Sequence, residues 1–249
     1  NGKGLASTPA LKGSEKSKSK KESFAQREMS NMSVGIEINK TFPLGGQETS
    51  PYNINGKQNL LSDYIPAPYF KYFINYKFYV EFALHVNSPQ YVRSSKIVSQ
   101  TDSLAIPTGL YTTKTTSVIL NKLYYFDIPV LIHYKLFDHF YLGTGLQFSA
   151  LSGGVGTEET RLNGYSGVPD SVTSNSIPLK NNSSAYNQLK KLDLRLLLDA
   201  NYQWRRFTIG LRYQQALATY LKTTQGSSGT SNKNSAIGVY LQYDIWRKK

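Results

Sequence analysis

The sequence predicts an all-β chain, an eight-stranded antiparallel up-and-down transmembrane β-barrel. Three observations predict it. About eight segments place apolar residues at every second position, the period of a strand and not of a helix. The connections between them alternate between tight turns and long polar loops rich in Gly, Ser, Thr and Asn. The aromatic content is high, with 19 Tyr, 11 Phe and 2 Trp, as expected where rings line both lipid–water boundaries of a membrane barrel.

The first strand is expected from Met32 to about Thr41, with Met32, Val34, Ile36 and Ile38 opposite Ser33, Gly35, Glu37 and Asn39. A polar connection from Pro43 to about Pro66 leads to the second, about Pro68 to Tyr76, with Phe70, Tyr72 and Ile74 on one face. A tight turn near Asn75–Lys77 opens the third, Phe78 to Asn87, where Phe78, Val80, Phe82, Leu84 and Val86 oppose Tyr79, Glu81, Ala83 and His85. A long connection, about Ser88 to Asn121, contains parts that extend the flanking strands beyond the membrane. The fourth strand, Tyr124 to Tyr134, is the clearest: Tyr124, Phe126, Ile128, Val130, Ile132 and Tyr134 share a face, against Tyr125, Asp127, Pro129, Leu131 and His133.

The chain then turns at Leu136–His139 into the fifth strand, Phe140 to Ala150, with Phe140, Leu142, Leu146 and Phe148 apolar. A third long connection runs from about Leu151 to Gln188. The sixth strand, Lys190 to Tyr202, sets Leu192, Leu194, Leu196 and Leu198 against Lys191, Asp193, Arg195, Asp199 and Asn201. A turn at Trp204–Arg206 gives the seventh, with Phe207, Ile209, Leu211 and Tyr213 against Thr208, Gly210, Arg212 and Gln214. A last loop leads to the eighth, Ser235 to Trp246. Short turns thus fall at one rim and long loops at the other, the asymmetry of bacterial outer-membrane barrels, whose short turns are periplasmic.

Alternation alone does not say which face is inside. A soluble lipocalin-like binder would turn its apolar face inward. The apolar faces carry roughly three dozen large side chains, and the interior of an eight-stranded barrel is only just filled by its side chains. The opposite face also carries small residues, Gly35, Ala83, Gly143, Gly145, Ser149 and Gly210. The apolar face is therefore assigned to lipid. The alternating end of the chain, including Gly238, Leu241, Tyr243 and Trp246, has the pattern that barrel-insertion machinery reads, although three basic residues follow Trp246.

Bulk properties narrow the chemistry. A mean hydropathy of −0.41 and the lack of a run of about 18 apolar residues exclude a transmembrane helix but not a barrel, whose strands show lipid only every second residue. With no Cys, thiol catalysis, Cys-based zinc sites and disulfides are excluded. The chain starts at Asn1 without an initiator Met, which leads to the expectation of a processed or truncated form. Of the net charge of +13, +7 lies in residues 1–30 and the tail Arg247-Lys248-Lys249. Nucleic-acid binding is not expected, because that needs a basic folded face interleaved with aromatics. Residues 1–30, rich in Lys, Ser and Glu, are expected to form a disordered basic periplasmic arm or linker, and residues 31–249 the barrel.

The stretch Leu123 to Gly153 resembles the central hairpin of PorT-type outer-membrane β-barrel proteins of Bacteroidetes. The Asp127-Ile128-Pro129 step, the short Lys135–His139 turn and the Gly143-Thr144-Gly145 step carry the resemblance. It implies an outer-membrane location in a Gram-negative envelope and transfers no catalytic residue. Some members of that family belong to secretion and gliding machinery.

The face assigned to the lumen contains Glu81, His85, Asp127, His133, Asp193, Arg195, Asp199 and Arg212. Buried charges of both signs must pair, so these residues are expected to form a structural ion-pair network, and an eight-stranded barrel is too narrow to conduct. An enzyme acting on lipid A is the alternative from another class. Its candidates, His85 with Glu81 and His133 with Asp127, are about 13–20 Å apart along single strands at roughly 3.3 Å per residue, so a neighbouring strand would have to supply the partner. His85, His133 and His139 show no metal-ligand spacing, and Gly143-Thr144-Gly145 is no nucleotide loop, since no helix is expected after it. No cofactor is expected. The reading is a non-enzymatic anchor, assembly or accessory subunit of an envelope complex, in contact with outer-membrane lipid and with other envelope proteins through its long external loops and basic arm.

Overall fold

The computed structural model describes residues 31–47, 49–58, 63–103, 111–164, 169–180, 183–222 and 233–248. The expected basic arm, residues 1–30, lies outside the described residues. Among the described residues the strands are β1 (Met32–Leu44), β2 (Ala67–Phe73), β3 (Phe78–Ala83), β4 (His85–Ser103), β5 (Tyr111–Phe137), β6 (Phe140–Gly164), β7 (Ser171–Leu179), β8 (Leu192–Trp204), β9 (Phe207–Ala216) and β10 (Ser235–Lys248), with a short helix, α1 (Ser184–Asn187).

All pairings are antiparallel. From β1 they run through β2, β3, β5, β6, β8, β9 and β10, and the β1–β10 pair returns to the start. Among the described residues ten strands therefore stand where eight are expected. One of the additional strands is β4, which continues β3 past Leu84 and keeps β5 as its neighbour. The other is β7, which pairs with β6 over Gly154–Leu162, beyond the stretch Phe140–Ala150 that pairs with β8.

The strand bounds overturn the loop expected at 151–188 and lengthen the strand extensions expected within 88–121. Much of the connections expected at 88–121 and 151–188 is strand: β4, β5, β6 and β7 form a four-stranded sheet that rises past the ring. Their Ser- and Thr-rich sequences lack an apolar stripe because both faces of much of this sheet are polar and open, as in the exposed run Val172–Asn175 of β7. Near the far end of the β6–β7 pair, Asp170 accepts from Arg161 Nη2 at 3.0 Å and from the Gly164 amide at 3.1 Å.

Within the ring the faces sort by period two. Outward-facing Ile132, Leu198, Ile209 and Leu211 are 49–55% exposed, while Glu37, Glu81, His133 and Arg212 are 0% exposed. The apolar stripes thus face the surroundings and the charges face the axis, the reverse of a lipocalin-like binder. Tyr124 departs from its expected place on the lipid face. It is 1% exposed, donating to Asp63 Oδ1 at 3.0 Å and to the Tyr52 carbonyl at 3.1 Å. The segment before β2 folds over it, and Lys122, the next residue on that face, pairs with Asp63 at 2.8 Å.

At the end of the long connections sits an apolar cluster of Val92, Leu120, Leu123, Tyr125, Leu179, Ala185, Tyr186, Leu189 and Tyr220. Ser183 caps α1 by accepting the Tyr186 amide, which seats Tyr186 in this cluster.

Two predictions follow from this arrangement. Leu198→Arg, at the middle of β8, is expected to lower unfolding free energy in lipid by about 2–4 kcal/mol, and Ile245→Arg near the rim by about 0–1 kcal/mol; urea titration of the barrel in vesicles measures both. The Asp170 carboxyl is held below its ordinary range by the Arg161 hydrogen bond and then by the Gly164 amide. A carboxylate with a lowered folded pKa stabilises above the unfolded value and loses that contribution as pH falls through the folded one. Protection of the Gly164 amide from hydrogen exchange should fall at acidic pH, and Asp170→Asn should remove that dependence.

Candidate functional site: the charged interior of the barrel

The inward residues of β9 are Thr208, Gly210, Arg212 and Gln214, and Arg212 is the hub of the interior. Its Nε donates to Asp199 Oδ2 at 3.0 Å, its Nη2 to Glu81 Oε1 at 2.8 Å and its Nη1 to Glu37 Oε1 at 3.4 Å. Asp199 sits beside it in register on β8, whereas Glu37 and Glu81 come from β1 and β3, so one guanidinium joins separate parts of the wall. The planar fork suits this role, since it offers five donors in fixed directions. The guanidinium also lies 4.5 Å from the Tyr240 ring centre.

Neutral donors complete the carboxylates. Gln242 Nε2 donates to Glu37 Oε2 at 2.7 Å and to Glu81 Oε1 at 3.1 Å. Asp199 Oδ1 accepts from Tyr240 at 2.8 Å and from Asn201 Nδ2 at 2.9 Å, and lies 3.0 Å from His133 Nε2. Lys71 Nζ is 3.9 Å from Glu81 Oε2 and donates to Thr208 at 3.2 Å. The His133 ring stacks on Tyr79 at 4.4 Å.

Two glycines make this packing possible. Gly143 lies opposite His133 and Gly210 opposite Tyr240, and a Cβ at either would approach the facing ring to 2.4 Å. The wall is thinned where a ring must lie flat against it.

Nearer the long-connection end is a second group. Arg195 meets Asp193 at 2.9 Å, donates to Gln90 Oε1 at 2.7 Å and lies 5.7 Å from the Tyr125 ring centre. Tyr125 also belongs to the apolar cluster, so apolar packing follows directly on the polar interior.

The eight residues singled out from the sequence therefore divide. Glu81, His133, Asp199 and Arg212 are brought together. His85 reaches this group through Glu37, with Nε2 3.2 Å from Oε1. Asp193 and Arg195 pair separately. Asp127 is 1% exposed, and neither of its carboxylate oxygens has a hydrogen-bond partner among the described residues. As their spacing along single strands implies, His85 does not pair with Glu81 nor His133 with Asp127: Glu37 of β1 and Asp199 of β8 reach the two imidazoles from strands that are not paired with β4 or β5. Sequence reading missed Glu37, Lys71, Tyr79, Asn201, Tyr240 and Gln242 as members. Strand parity already places Glu37, Tyr79 and Asn201 on the lumen face. Their joining to Arg212 and Asp199 depends on strand neighbours that parity does not reveal.

At the end of the chain, Leu241, Tyr243 and Trp246 are exposed on the outer side, while Gly238 faces inward beside Asn39. Among the described residues no cluster of three or more His, Asp or Glu forms a metal site.

A ring of strands with hydrocarbon-compatible stripes outside and paired charges inside defines a transmembrane β-barrel. The chain belongs to the outer membrane protein beta-barrel domain family, whose model matches residues 24–221, and this places it in the outer membrane. No curated protein matches the chain. Among solved structures it is similar to Ail, the attachment invasion locus protein of Yersinia pestis, with 10% identity, 86% of this chain and 96% of that one covered, and a TM-score of 0.33. The same protein in complex with the heparin analogue sucrose octasulfate matches at 12% identity over the same shares, also with a TM-score of 0.33. The outer membrane channel DcaP of Acinetobacter baumannii matches at 11% identity, 86% and 72% coverage and a TM-score of 0.17.

Removing one member of a buried ion pair typically costs about 3–5 kcal/mol, because the remaining charge is uncompensated. Arg212→Met leaves three carboxylates so exposed to each other and is expected to cost at least about that much. Adding Asp199→Asn should recover part of the loss. Urea titrations of the single and double variants, refolded in the same vesicles, measure the coupling.

Proposed function

We propose that this barrel is a non-enzymatic anchor, assembly or accessory subunit of a cell-envelope complex, working through the sheet that rises beyond the ring. The observation that carries this reading is the mutual engagement of the interior charges. Arg212 spends its donors on Glu37, Glu81 and Asp199 at 0% exposure. Groups so occupied stabilise a wall. They do not wait for a solute. The His133–Asp199 pair is equally enclosed, under the Tyr79 ring, where an acyl chain or a phosphate has no path to it.

The same filling supports a closed lumen. The side chains of Arg195, Arg212, Tyr79, Tyr125, Tyr240 and Lys71 are among the largest fully buried ones, and the apolar cluster lies above them. The strands β4 to β7 beyond the ring offer the surface that the interior lacks. Short turns in outer-membrane barrels are periplasmic, so this sheet is read as external and residues 1–30 as a periplasmic arm that contacts envelope proteins. The resemblance of Leu123 to Gly153 to PorT-type barrels favours a secretion- or gliding-related complex.

Two measurements test the proposal. Planar-bilayer recording should give no steady single-channel current, and large steady currents would overturn the closed lumen. Affinity purification from detergent-solubilised membranes should recover an envelope protein in stoichiometric amount. Replacing residues 157–176 by a short turn should release that protein while the barrel still folds. Recovery of the chain alone, or a partner retained after the replacement, counts against the subunit role.

A further inference from the structure

One feature of the outer surface is not explained by the interior. At the short-turn rim, Tyr202, Trp204, Phe207, Ile209 and Leu241 line a shallow groove of about 470 Å³ across β8, β9 and β10. Register places Tyr202 opposite Ile209 and Ile209 opposite Leu241, one row across three strands, with the Trp204–Phe207 pair one step closer to the rim. The volume is within the range of small-molecule clefts, about 300–1,000 Å³, and the lining is wholly apolar or aromatic.

The turn that ends this groove is Arg205-Arg206. Arg205 adopts a φ of 54°, in the left-handed region where Gly or Asn is usual, and its guanidinium lies 5.3 Å from the Trp204 ring centre. Two other basic residues of this rim are answered by carboxylates: Lys135 by Asp138 at 3.0 Å, and Arg247 by Asp244. Neither Arg205 nor Arg206 makes an ion pair among the described residues, and both are exposed. The turn thus places two exposed arginines next to the boundary end of an apolar groove, with the Arg205 guanidinium against the Trp204 ring.

A molecule that fits both parts has a hydrocarbon chain joined to an anionic head at the depth of the membrane boundary. We propose that this groove is a binding site for one anionic glycerophospholipid, its acyl chain along Tyr202, Ile209 and Leu241 and its phosphate bound by Arg205 and Arg206. Each basic side chain near a membrane surface contributes attraction worth about fivefold in affinity for an anionic headgroup. The apolar wall serves any acyl chain, so the arginines carry the headgroup preference and the groove carries the retention. The site lies on the outside of the wall and is independent of the role of the external sheet.

Native mass spectrometry of the intact barrel, released from micelles with equal amounts of phosphatidylglycerol, phosphatidylethanolamine and lipid A, tests the site. Phosphatidylglycerol is expected as a retained single adduct, preferred over phosphatidylethanolamine. Arg205→Gln and Arg206→Gln are each expected to lower that preference about fivefold, and Lys77→Gln, on another turn of the same rim, to leave it unchanged. Trp204→Ala should weaken retention of both phospholipids without changing their ratio. Heat-modifiable gel migration checks that each variant is folded. Equal retention of the two phospholipids, a preference for lipid A, or a loss with Lys77→Gln as large as with Arg205→Gln would each overturn the proposal.

Discussion

A strand that gives one face to hydrocarbon must carry every charge on the other, and a closed ring then forces those charges together. This constraint organises the molecule. Lipid does not solvate a carboxylate, and a narrow lumen admits little water, so each buried charge depends on its neighbours. The chain meets the condition with a guanidinium facing three carboxylates, helped by an amide, a phenol and two imidazoles. Because Glu37, Glu81 and Asp199 come from β1, β3 and β8, the charges fasten walls that share no direct pairing. Backbone bonds hold neighbours together around the circumference, and Arg212 holds the ring across its diameter.

The same constraint explains how much was legible in the sequence. Inside the membrane each strand has one solvent on each face, so identity alternates strictly and the faces of β1, β3, β8 and β9 follow from counting by two. Beyond it both faces meet water, and the alternation fades. Thr113 to Ser117 of β5 and Ser171 to Ser176 of β7 have high strand propensity for Thr and Val but no stripe, and they read as loop. The central members of the ionic group were visible as inward charges. Which charge meets which was not, because strand parity fixes a face and not the opposite wall. Tyr240 and Gln242 are examples: unremarkable in sequence, they become ligands of Asp199 and Glu37 only after β10 closes on β1.

Where the two regimes meet, the backbone itself changes. Pairing of β4 with β5 slips between His85 and Ser88, where Asn87 has a φ of 52°, and pairing of β5 with β6 slips between Tyr124 and Tyr125. The irregularities are adjacent. Ser152, the extra residue on β6, donates to the Tyr124 carbonyl at 2.9 Å and to Asn87 Oδ1 at 3.3 Å. Bulges re-aim strands and increase local twist, so a seam across three strands marks the level at which β4, β5 and β6 leave the ring. Tyr124 lies on that seam. Its parity is that of a lipid-facing residue, but its height is that of the emerging sheet, where Asp63 and the Tyr52 carbonyl cover it.

The seam also separates two ways of filling space. Below it the interior is polar and paired, and rings lie flat on glycines. Above it Tyr125 belongs to an apolar cluster built from β4, β5, β7, α1 and the chain around Leu189 and Tyr220. Water above the ring lets a conventional apolar core form there, since charges are then free to turn outward. Tyr125 joins the two: it belongs to the cluster, and the Arg195 guanidinium lies over its ring. A residue with an apolar body and a polarisable face suits that boundary, where an aliphatic side chain would leave the guanidinium without a cation–π contact.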